Sequence, residues 1–190
     1  MMFKLFSYKK FTMDKKKTLI TLSAVALGSV IYNYLKPIKS DVEVIQNFDL
    51  QKYLGKWYEI ARFDFFWEKN LKNVTAEYSL NDDGSVKVNN KGVNILSNKT
   101  KNSIGKAKYA GNVNEGALKV SFFGPFYSGY NIVKIDEDYQ DVLIFGENLD
   151  YLWILSRNKS INPERKEIYL NYAKACGYDL SKLKWTIQEG

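Results

Sequence analysis

The chain is expected to fold as an all-β protein of eight antiparallel strands, with one α-helix near its C-terminus and an apolar segment ahead of the strands. Two observations lead there. Turn signals recur at short intervals, at Asp82-Asp83-Gly84, Ser97–Ser103, Asn114-Glu115-Gly116, Gly124-Pro125, Asp136–Asp141 and Gly146–Asp150. Runs rich in β-branched and aromatic residues fill the spaces between them, the pattern of strands joined by short links. With 190 residues, 15% aromatic content and three prolines, the chain can bury a large core in one domain plus an appendage.

The appendage comes first. Eight lysines against one acid, Asp14, give residues 1–40 the entire net charge of +7. Lys15-Lys16-Lys17 precedes an uncharged stretch from Thr18 to Leu35. As a helix it would span ~27 Å, close to the ~30 Å of a hydrocarbon core. Six lysines before it and two after it place the N-terminus in the cytoplasm and the body across the membrane. Two readings remain open, a retained anchor and an export signal cut near Ala26 or Gly28. Either sends the body to the periplasm or cell envelope. Met13 is an alternative start to Met1 or Met2.

The body, residues 41–190, holds equal numbers of basic and acidic residues. A neutral body lacks the footprint of a nucleic-acid binder. The chain has no His and one Cys, Cys176. That excludes Ser-His-Asp and Cys-His centres, His-bearing zinc sites and an intrachain disulfide. No metal and no cofactor is called for.

Strands are expected at Lys56–Phe66, Val74–Leu80, Ser85–Asn94, Ile104–Ala110, Ala117–Phe123, Tyr130–Ile135, Val142–Phe145 and Tyr151–Ser156. Eight antiparallel strands close into a barrel or stack as a sandwich, and a barrel of that size holds one small ligand. Asn162 can cap a helix with Pro163 at its first position, and Gly177 can stop it. Ile168, Tyr172, Ala175 and Cys176 would share its buried face. A last strand is expected at Leu183–Ile187.

Asp49 to Tyr58, with Gly55 and Trp57, resembles the opening motif of the lipocalins. Glu137-Asp138-Tyr139 resembles their second motif, and Arg157, closing Tyr151–Arg157, their third. Phe122–Tyr127 and Gly177–Lys182 are similar to the bacterial lipocalin subgroup, outer-membrane proteins akin to apolipoprotein D. The resemblance spans residues 48 to about 188. It implies an eight-stranded antiparallel up-and-down barrel, with Gly55, Trp57, Asp138, Tyr139 and Arg157 as structural residues and Arg157 lying across the Trp57 indole. It also implies a carrier, with no enzyme activity, of a small hydrophobic molecule such as a fatty acid or lysophospholipid, serving membrane maintenance under stress. A lipid-modified Cys, usual in that subgroup, is missing; Ser29 follows Ala26-Leu27-Gly28 instead.

Strand alternation nominates the ligand-facing residues. If Trp57 points inward, Glu59, Ala61 and Phe63 follow. On the fifth strand Val120 and Phe122 are apolar against Lys119 and Ser121. Tyr130 and Ile132 on the sixth strand, and Tyr151, Trp153 and Leu155 on the eighth, complete the set, Trp153 matching a pocket-lining position in the apolipoprotein D kin. Two other functions remain open, a lipocalin-fold enzyme using Glu59 or a Tyr as base, and a pigment or tetrapyrrole carrier. Oligomeric state is not legible.

Overall fold

The computed structural model describes residues 42–64 and 69–189. The N-terminal signal or anchor, and the end of the first expected strand at Phe66, lie outside those residues. Among the described residues, no helix is long and apolar enough to cross a membrane.

A one-turn helix, α1 (Leu50–Tyr53), opens the body. Asp49 caps it, its carboxylate accepting from the Gln51 and Lys52 amides. Gly55, at φ 94, makes the exit into β1 (Gly55–Phe63), in a conformation a side chain would strain. The meander continues through β2 (Leu71–Leu80), β3 (Val86–Asn94), β4 (Thr100–Tyr109), β5 (Ala117–Phe123), β6 (Phe126–Ile135), β7 (Asp141–Phe145) and β8 (Leu152–Ser156). Each strand pairs antiparallel with the next, and β8 returns to β1, which also pairs with β2. The sheet is therefore closed, and the barrel rather than the sandwich is the fold.

After β8 comes α2 (Pro163–Ala175). Asn162 accepts from the amides of Glu164 and Arg165, and Gly177 follows the end at φ 89. The buried face of α2 differs from the expected one. Tyr169 and Ala173 are buried, Tyr172 and Cys176 flank them, and Ile168 is exposed. The sheet decides this: Tyr169 donates to the Asp141 carbonyl at 2.8 Å, which sets the helix rotation. Beyond a short 3₁₀ turn, β9 (Leu183–Trp185) adds to the upper half of β1. The strand is shorter than the expected Leu183–Ile187, because Thr186 to Glu189 leave it to bond β1 and β2.

Two apolar clusters result. One lies inside the barrel, around Trp57, Ala76, Tyr78, Val88, Leu118, Ile132, Ile144 and Leu155. The other lies between the outer face of β1, β7 and β8 and α2, around Phe63, Leu143, Phe145, Ile154, Tyr169 and Tyr178.

Candidate functional site

The barrel has two unlike ends, because alternate connections of a meander lie at opposite ends. One end carries α1 and the turns 81–85, 110–116 and 136–140. It is closed. Trp57 is fully buried there and donates its indole N–H to the Tyr53 carbonyl at 2.8 Å. The Arg157 guanidinium lies 3.9 Å from the indole ring centre. The same group donates to the carbonyls of Lys52, Leu54 and Lys56 at 2.8, 2.9 and 2.7 Å. Arg157 thus ties α1 to β1 while stacking on the plug. Tyr139, at φ 54, offers its hydroxyl to the Asp49 amide at 2.9 Å. The carboxylate that orders this turn is Asp136, which accepts from the amides of Gln140 and Asp141. Asp138 contributes its backbone carbonyl, to the Gln140 amide side chain.

Around the plug three tyrosines meet, with Tyr78 opposite Gly55 at the start of β1 and Tyr53 packed on Trp57. The Tyr130 hydroxyl shares hydrogen bonds with those of Tyr53 at 2.6 Å and Tyr78 at 2.7 Å. Burial drives the Tyr53 and Tyr130 hydroxyls well above the ordinary phenol range, so both stay protonated. Trp153 stacks on Tyr130, with ring centres 6.4 Å apart, and Tyr151 stacks on Trp153 at 6.1 Å. Val120, Ile132 and Leu155 complete the wall. Ile132 and Leu155 are buried, but Val120, Tyr130 and Trp153 are only partly so. They sit inside a closed sheet and still keep uncovered surface.

Phe122 lies over Gly105 of β4. A Cβ there would come within 2.8 Å of the Phe122 ring, so only glycine leaves room for it. Tyr151, at the mouth, also lines a shallow cleft with Asp64, Asp150 and Lys184.

Ala61 and Phe63 do not face the interior, and the alternation that placed them there is corrected by a β-bulge. The β1–β8 register pairs Glu59 with Leu155, then Ala61 with Ile154, leaving Ile60 as the extra residue. Past the bulge the faces exchange. Ala61 and Phe63 pack outward under α2. Arg62, which the sequence reading passed over, turns inward opposite Trp153. It is 3% exposed, as is Glu59, and its guanidinium donates to Glu59 at 2.5 Å and to Asp64 at 2.9 Å. Thr186 donates to the same Glu59 oxygen at 2.5 Å. Burial raises the Glu59 carboxyl above its usual range, against the pull of Arg62. This charged cluster is in the half of the barrel away from the plug, and its members compensate one another. Nothing in hydropathy or spacing announces a bulge, so its inward arginine was not legible. Of the three tyrosines, strand alternation nominates Tyr130, whereas Tyr53 and Tyr78 were passed over, although the GKWY segment next to Tyr53 is the natural place to look.

A closed antiparallel barrel plugged by a Trp–Arg pair, with a partly uncovered interior and a helix packed outside, defines a lipocalin. The chain belongs to that family: the lipocalin-like domain model matches residues 48–188. It is 50% identical over 149 residues to the outer membrane lipoprotein Blc of Escherichia coli K12, covering 78% of this chain and 84% of that one. It is 33% identical over 155 residues to mouse apolipoprotein D, covering 76% and 79%. Insecticyanin from the tobacco hornworm shares the fold, with a TM-score of 0.61 at 22% identity over 79% of this chain and 86% of that one. Membership implies a barrel that takes a small hydrophobic ligand, and the bacterial relatives named as outer membrane lipoproteins are consistent with export to the cell envelope.

Proposed function

We propose that this protein binds a single acyl chain, as a fatty acid or lysophospholipid, within the barrel, and that it does so in the cell envelope as a carrier. The observation that supports this is the inner surface itself. Val120, Tyr130 and Trp153 line the interior and are left partly uncovered, while the end below them is sealed by Trp57 and Arg157. An apolar, aromatic-walled cavity with few polar groups is the usual setting for a hydrophobic ligand. The acyl tail would lie against Trp153 and Tyr130, because the open end is the one where a head group stays hydrated. Glu59 lies in an ion pair with Arg62 and a hydrogen bond with Thr186, a compensated state unlike that of a catalytic base. The uncharged stretch Thr18–Leu35 would carry the body out of the cytoplasm, as retained anchor or as cleaved signal.

Titration of the full chain with saturated fatty acids and lysophospholipids of increasing length tests the reading. Trp153 fluorescence, isolated by comparison with Trp153→Phe, should change on binding. Each added methylene contributes ~0.8 kcal/mol, so affinity should climb about fourfold per carbon until the cavity is full. Trp153→Ala should weaken binding by ~1–3 kcal/mol with the far-UV circular dichroism unchanged. A flat length series would mean that side chains fill the barrel.

A further inference from the structure

At the end of the barrel opposite the plug, two neighbouring hairpins present large apolar side chains to water. The turn after β5 is two residues, Gly124-Pro125, and Phe123 and Phe126 face each other directly across it. They are 70% and 47% exposed. The β3–β4 loop holds Ile95 and Leu96, at 48% and 80%. That loop is built. Asn94 accepts from the amides of Leu96 and Ser97 at 3.1 and 2.9 Å, and the Asn94 carbonyl accepts from the Asn98 amide at 2.8 Å. Its geometry therefore holds Leu96 outward. Because β4 pairs with β5 at Lys106–Tyr109, the two hairpins are neighbours in the sheet, and the 95–99 loop, on the longer hairpin, extends beyond the Gly124-Pro125 turn.

The turns of the closed end differ in charge, although Val113 in one of them and Leu80 beside another are also exposed. Asp82, Asp83, Glu115, Asp136, Glu137 and Asp138 lie in them with no lysine or arginine, though Lys52, Lys56 and Arg157 stand nearby. At the rim, exposed Lys99 and Lys101 come three and five residues after Leu96.

We infer that the open rim docks on a lipid bilayer, with Leu96, Phe123 and Phe126 entering the acyl boundary and Lys99 and Lys101 meeting anionic head groups. Exposed apolar side chains grouped at one end mark an interaction surface. The charges select the partner. Cationic residues lie beside the apolar tips, while the acids of the open end stand on other connections, Asp64 paired with Arg62 and Glu147 and Asp150 in the β7–β8 link. The closed-end turns are uniformly acidic, so an anionic membrane attracts the Lys99–Lys101 side and repels the far end. The shape agrees. The apolar groups stand on separate tips around an opening, where a bilayer, which needs no matching contour, can take each one. Docking in this orientation sets the mouth of the barrel against the lipid. The inference concerns the outside of the rim and stands whatever ligand the barrel holds.

The test uses the full chain carrying Cys176→Ser and one new cysteine, Leu96→Cys at the rim or Val113→Cys at the closed end, each labelled with an environment-sensitive dye. Val113 is 63% exposed, a fair match for Leu96. With vesicles of phosphatidylcholine and phosphatidylglycerol, the rim dye should shift to the blue and gain about threefold in intensity, as expected for a group entering the interface. The closed-end dye should not change. Phe123→Ser with Phe126→Ser should raise the lipid concentration needed for half the rim response about tenfold, and vesicles lacking phosphatidylglycerol should raise it as well. A rim dye that stays unshifted while the protein sediments with the vesicles would overturn the inference, since the N-terminal segment would then hold the protein alone. A shift that follows protein concentration without vesicles would assign the face to a second copy of the chain. The same shift with monomeric lysophosphatidylcholine, below micelle formation, would trace the signal to ligand entry. Either of these results overturns the docking inference.

Discussion

The two ends of this barrel use similar residues in opposite ways. At the closed end, Trp57, Tyr53, Tyr78 and Arg157 are turned on one another: the indole N–H, the phenol hydroxyls and the guanidinium all end on named partners. At the open end, Phe123 and Leu96 face water, and deeper in the interior Trp153 and Tyr130 keep uncovered surface. Aromatic content therefore does not tell stability from recognition here; what tells them apart is how much of each side chain is left exposed. A barrel that saturates one end can leave the other open, because the sheet hydrogen bonds hold the wall without filling the interior.

That contrast is breakable, most forcefully at the plug. Trp57→Ala replaces a fully buried indole by a void and should cost ~3–5 kcal/mol in chemical denaturation. If the closed end serves stability alone, the slope of ligand affinity against chain length should be unchanged in the folded fraction.

The Arg62 cluster tests the other half of the barrel. Arg62→Met leaves Glu59 buried beside Asp64 and should cost about 3 kcal/mol. Glu59→Leu combined with Arg62→Met should be less destabilised than Arg62→Met alone, since no buried charge is then left uncompensated. A double variant worse than both singles would mean that the cluster shapes the wall rather than balancing charge.

Arg157→Ala should cost about 2 kcal/mol, through lost charge-assisted hydrogen bonds to carbonyls and the lost stack on Trp57. Lysine at 157 cannot reach several carbonyls from one planar group, so Arg157→Lys should recover little. A double-mutant cycle with Trp57→Phe should show coupling; strict additivity would separate the two residues.

The smallest effect is one of pH. Burial raises the Glu59 carboxyl, so the folded state holds that proton more tightly than the unfolded chain. The folded state then carries more protons between the unfolded and folded pKa values, and stability falls as pH rises through that window. Glu59→Gln should flatten this part of the stability profile while leaving the acid limb set by other carboxylates. An unchanged profile would place the titration elsewhere.

Much of this was legible before any coordinates. Turn signals spaced a strand apart, with β-branched and aromatic residues between them, already require a meander, since short links allow only antiparallel neighbours. The Asn162-Pro163 start and the Gly177 stop bound the helix by local chemistry alone. Gly55, Trp57 and Arg157 could be named from their spacing in a recognised pattern. What the sequence could not determine is anything that depends on registers between strands. One extra residue at Ile60 exchanges the faces of β1, sending Ala61 and Phe63 under α2 and bringing Arg62 inside. A bulge has no hydropathy signature, because Ile60 is apolar on either face. The rotation of α2 was likewise settled by the Asp141 carbonyl that receives Tyr169, across 28 residues of chain. Local propensity determined which segments are strands and where the helix begins and ends. Only tertiary pairing decided which side chains enter the barrel, because facing is a property of two strands together and not of either one.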